Sequence, residues 1–97
     1  MTPERASAYR RVMRTLDDIG PSKLLDGEQE RIRHAADNLI FCCGLDGDVA
    51  AHEALADIDR LRRALVESGR WEPLTAGRLA ADVAQCGPPA VPVLKAA

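Results

Sequence analysis

The chain has 97 residues, of which 46% are hydrophobic and 29% charged, with a formal net charge of −2. That balance describes one globular domain with a single modest core and excludes wholesale disorder. Weak net charge and only three aromatics, Tyr9, Phe41 and Trp71, exclude a globally basic nucleic-acid binder and a base-stacking platform.

The first helix is expected over residues 3–19. Thr2 is a suitable N-cap, Pro3 sits at the first helical position, and Glu4 faces the positive end of the helix dipole. Tyr9, Val12, Met13, Leu16 and Ile19 repeat at helical spacing. Gly20 followed by Pro21 predicts a left-handed stop.

A second helix is expected over 27–43, opened by Asp26 with Gln29 completing a capping box. Ile32, Ala35, Ala36, Leu39, Ile40 and Cys43 form its stripe, and Gly44 with Leu45 predicts a Schellman ending against Ile40.

The third helix, expected over 48–68, follows the turn Asp46-Gly47-Asp48 and stops at Gly69. Ala54, Ile58, Leu61 and Leu65 line it at steps of four, three and four. The fourth, over 73–86, starts at Pro73, presents Ala76, Leu79, Ala80, Val83 and Cys86, and ends at Gly87-Pro88-Pro89. No stretch shows strand alternation.

The predicted fold class is all-α: a small antiparallel helical bundle of three main helices and a shorter fourth, with an extended C-terminal tail. The domain spans 1–87 and the proline-rich tail 88–97 is expected to be flexible.

The longest apolar run, Leu39 to Cys43, is far short of the ~20 residues of a spanning helix. The first fourteen residues carry four arginines and no apolar core, so neither a leader nor membrane attachment is expected. Three cysteines, with Cys42 and Cys43 adjacent, suit a reducing cytoplasm.

Catalytic patterns are lacking: there is no HExxH, no P-loop and no GxSxG. His34 and His52 fall on different helices without a nucleophile at a recognisable spacing, so no enzyme and no small-molecule substrate is expected. Adjacent cysteines point about 100° apart on a helix, and Cys86 adds no paired spacing, so no metal or cofactor is expected. Asp46-Gly47-Asp48 resembles the start of a calcium loop, but Ala50, Ala51 and Asp57 occupy positions 5, 6 and 12.

Apolar surplus is the stronger signal. The second helix ends Leu39-Ile40-Phe41-Cys42-Cys43, apolar on every side, and Phe41 and Cys42 lie off its inward stripe. Either the fourth helix with Val91, Val93 and Leu94 covers Phe41, or another chain does. Trp71 at the third corner raises the same question.

Charge order adds another signal. The first helix carries Arg5, Arg10, Arg11 and Arg14 early and Asp17 and Asp18 late, against its dipole. The third has Asp46, Asp48 and Glu53 early and Arg60, Arg62 and Arg63 late, so two parallel helices of a bundle would be complementary. Along the chain an acidic block, residues 17–59 with a net charge of −8, lies between two basic ones.

The function expected is therefore a non-catalytic interaction or regulatory module that binds another protein or itself as a homodimer. Its contacts would come from Phe41, Cys42, Trp71, Arg10, Arg11 and Arg14. Nucleic acid stands second, read by Arg60, Arg62, Arg63, Arg70 and Arg78 around a helix-turn-helix-like stretch from Leu61 to Ala84.

Overall fold

The computed structural model describes residues 2–42, 44 and 48–88. Four helices follow one another: α1 (Pro3–Lys23), α2 (Asp26–Ile40), α3 (Val49–Glu67) and α4 (Pro73–Gln85), with no strand among the described residues. The expected all-α bundle is the observed one. Tyr9 meets Asp37 and Gly20 meets Gln29, so α1 and α2 are antiparallel. Arg31 meets Asp57 while Cys42 meets Asp48, and Arg5 meets Cys86 while Arg11 meets Asp82, which makes α2–α3 and α1–α4 antiparallel too. α1 therefore runs parallel to α3, but the two occupy one diagonal and their backbones do not come into contact; α2 and α4 pack across the other. The charge pairing expected between the first and third helices is not made within the chain.

α1 starts as its punctuation predicts, with Thr2 Oγ1 accepting the Arg5 N–H at 3.2 Å. It does not stop at Gly20. Proline disfavours helix in the residue before it partly through that residue's Cβ, and Gly20 has none, so the helix passes through Pro21. The extra turn brings Leu24 into the core, and the Leu24 N–H closes it by donating to Gly20 O at 2.9 Å. Gly20 also lies against the Gln29 side chain of α2: a Cβ there would lie 2.9 Å from Gln29 Oε1.

The α2 cap sits one residue earlier than expected. Leu25 is the N-cap, and its N–H donates to Glu28 Oε1 at 2.8 Å, half of a capping box. Gln29 instead reaches back to Gly20 O at 3.3 Å. α2 ends at Ile40, three residues short of the expected 43. Gly44 is not left-handed, so it does not supply the expected Schellman turn; Cys43 and Leu45 lie outside the described residues.

α3 is capped by Asp48, whose Oδ1 accepts the Ala51 N–H at 2.9 Å. Its stop is Gly69, at φ +77°, after which the N–H groups of Arg70 and Trp71 both return to Leu65 O, at 3.2 and 3.1 Å. α4 begins at Pro73 as expected. The predicted flexible tail lies outside the described residues from Pro89 onward.

The core draws on all four helices: Val12 and Leu16, Ile32 and Leu39, Ile58, Leu61 and Leu65, then Leu79, Val83 and Cys86. Buried alanines at 8, 35, 36, 51, 54 and 76 let the helices approach closely. No charged or polar side chain is fully buried among the described residues. Among the described residues no helix is long and apolar enough to cross a membrane.

Candidate functional site

One end of the bundle gathers the start of α1, the end of α2, the start of α3 and the end of α4. Arg5 organises it. Helix ends leave carbonyls without intrahelical partners, and a buried end needs donors from elsewhere. Arg5 continues the inward stripe of α1 (5, 8, 12, 16), so its guanidinium is aimed at two such ends. Its Nη2 donates to Leu39 O at 2.8 Å, Ile40 O at 3.1 Å and Cys42 O at 2.7 Å, and its Nε to Cys86 O at 2.8 Å. The cation thus caps α2 and α4 together, where both dipoles are negative. Sequence reasoning counted Arg5 among the surface arginines; the available signal was an arginine on an apolar stripe.

This capping also corrects the expectation for Cys42. Beyond Ile40 the chain is no longer helical, so helical spacing no longer says which way residue 42 points. Cys42 is 4% exposed, a core residue, and its Sγ lies 3.0 Å from Gly44 O. The neighbouring Asp48 carboxylate, together with burial, raises the Cys42 pKa above its ordinary value. Burial, with Asp82 adding, pushes the Cys86 thiol up to about 11. Both thiols are free and held protonated, which leaves them poor nucleophiles.

Phe41, by contrast, is 79% exposed, and Val49 at the start of α3 is 67% exposed at the same end. The fourth helix does not cover Phe41. Val91, Val93 and Leu94, its other expected cover, lie outside the described residues.

Trp71 lies at the opposite end and is 6% exposed, so it cannot join Phe41 in one contact surface. Its indole Nε1 donates to Lys23 O at 3.2 Å, satisfying the last carbonyl of α1. Arg70 shares that carbonyl at 3.3 Å and holds Glu28 through two bonds of 2.7 and 2.8 Å. The Arg70 guanidinium keeps the Glu28 carboxyl below its ordinary range.

The arginines divide by partner. Arg11, expected at a contact surface, is committed to α4, with Nε 3.0 Å from Asp82 Oδ1 and Nη2 2.8 Å from Gln85 Oε1. Arg10 reaches only the Ser7 hydroxyl, at 3.3 Å, and Arg14 is in no ion pair among the described residues; both are exposed. Four of the five arginines expected to read nucleic acid already face carboxylates: Arg60 with Asp57, Arg62 and Arg63 with Asp59, and Arg70 with Glu28. Arg78 has no such partner among the described residues. Phosphate binding needs uncompensated cations, and this set supplies one.

Between α2 and α3 runs a surface groove of about 750 Å³. Ala35 and Ala54 form its floor, with His34 and Asn38 on one wall and Glu53 on the other. A bidentate Arg31–Asp57 pair, at 2.7 and 3.1 Å, spans it further along and lowers the Asp57 pKa. His34 and His52 are both exposed, and no three His, Cys, Asp or Glu side chains gather as a metal-binding group among the described residues.

Fold and site together define a small up-and-down helical bundle with an exposed aromatic at one end. No family model, curated protein or solved structure matches the chain.

Proposed function

We propose that this chain is a non-catalytic protein-interaction module that docks a partner on the end of the bundle bearing Phe41 and Val49. The observation that carries the reading is Phe41, which remains 79% exposed although the bundle is complete without it. An exposed phenylalanine is a ready anchor, since covering it on binding contributes about 1.5–3 kcal/mol. Arg5 bonds backbone carbonyls on both sides of Phe41, which lowers the ordering cost of presenting the anchor. The free thiols of Cys42 and Cys86 favour a reducing compartment such as the cytoplasm.

The test is quantitative affinity capture with wild-type and Phe41→Ser baits. Phe41→Ser is expected to leave thermal stability unchanged within about 0.5 kcal/mol, as surface substitutions do. A partner held by the wild type and lost by the variant supports the reading. Equal recovery by both baits, or no specific partner at all, overturns it.

A further inference from the structure

The reversed charge order of α1 is compensated only in part among the described residues. Arg5 is absorbed by backbone carbonyls and Arg11 by Asp82, which leaves Arg10 and Arg14 exposed, one turn apart on one face. α3 carries the opposite pattern, but the backbones of α1 and α3 stand apart and no ion pair joins them among the described residues. Glu53, exposed on the wall of the α2–α3 groove, is in no ion pair among the described residues, whereas Asp57 in the same groove holds Arg31 and Arg60.

We infer that the α2–α3 groove receives α1 of a second copy of this chain, with Arg10 and Arg14 of the incoming helix against Glu53. The alanine floor leaves room for a helix to settle over Ala35 and Ala54, beyond which it passes over the Arg31–Asp57 pair. The spacing suits the incoming helix over more than one turn. From the Arg10–Arg14 pair to Asp17–Asp18 is about 8 Å along α1, and from Glu53 to Arg60 is about 10 Å along α3, at 1.5 Å per residue. With the incoming helix parallel to α3, its aspartates fall beside Arg60, whose guanidinium is largely solvent-facing.

The donor helix and the receiving groove lie on different faces, so the contact is heterologous. It joins copies head to tail, as an open chain or a ring of more than two, and does not close into a two-fold dimer. Resting on exposed charges over a small-residue floor, it is weak and salt-sensitive. It uses neither Phe41 nor Val49 and is independent of the docking end proposed above.

Sedimentation equilibrium on the full chain tests it at low salt and again above about 0.3 M salt. At millimolar protein and low salt the average mass should climb steadily with concentration, without a plateau at twice the monomer, and return to the monomer at high salt. The charge-reversed chains R10E/R14E and E53R should each stay monomeric, because each places like charges at the contact. Mixed in equal amounts they should associate again, since both contacts are then complementary. Circular dichroism checks that each variant remains helical. A wild type that stays monomeric at low salt overturns the inference, as does association that persists in the separate variants or fails to return on mixing. Association lost in Phe41→Ser but kept in R10E/R14E also overturns it and assigns self-contact to the Phe41 end.

Discussion

Arg5 is the side chain whose loss should be felt furthest, because four carbonyls from two helix ends depend on it. Hydrogen bonds to a charged group contribute about 1.5–3 kcal/mol, and carbonyls stripped of a donor add their desolvation cost. Arg5→Ala should therefore lower unfolding stability by about 3 kcal/mol in urea titration. Arg5→Lys keeps the charge but not the planar fork that reaches both helix ends, and should recover about half of that. Cys86 makes a second residue-level prediction. Its folded pKa of about 11 lies above that of an unfolded thiol, near 8.5. Below about pH 8.5 both states keep the proton and stability is undiminished. As pH rises from there toward 11 the unfolded chain loses its proton first, so stability falls by at most about 1.4 kcal/mol per pH unit. Cys42 and Tyr9, also raised, act in the same direction at alkaline pH. Urea midpoints taken across this range should slope downward, less steeply in Cys86→Ala.

At the scale of elements, the helix starts were legible and the stops only in part. Thr2, Asp48, Pro3 and Pro73 work where their chemistry places them, because an N-cap needs only its own side chain and the next turn. Stops depend on what the following residues must reach. Gly20-Pro21 reads as a terminator, yet Leu24 has a place in the core and the helix continues to deliver it. Gly44 reads as another terminator, yet Arg5, thirty-nine positions earlier in the chain, caps α2 instead. Gly69 is the stop that behaves as local rules say, at φ +77° with open space where a Cβ would go. Gly69→Ala should cost about 1–2 kcal/mol from the left-handed backbone alone, readable as a lower thermal midpoint, and Gly69→Asn should cost less.

For the whole molecule, the diagonal placement of α1 and α3 decides how the charge pattern is used. Complementary helices that touched would neutralise each other; held apart, they leave Arg10, Arg14 and Glu53 facing solvent. The expected contact residues fared unevenly for the same reason. Phe41 remains a surface residue, while Trp71 and Cys42 became structural parts at opposite ends of the bundle. Arg11 was drawn into the α1–α4 seam. An aromatic or an arginine off the inward stripe is an ambiguous signal, because burial at a bundle end depends on neighbouring helices that sequence spacing does not locate.

By itself the sequence determined the four helices, their inward stripes and the up-and-down class, since hydrophobic periodicity and N-terminal caps act over one or two turns. Only the tertiary structure decided where α2 ends, which cysteine enters the core, that Arg5 joins two helix termini, and which arginines remain uncompensated. The end of α2 and the joining of two helix termini rest on Arg5 contacts with groups 34 to 81 residues away in the chain, at Leu39 and Cys86. Such partners meet only after the helices have packed, so no local pattern in the sequence carries them.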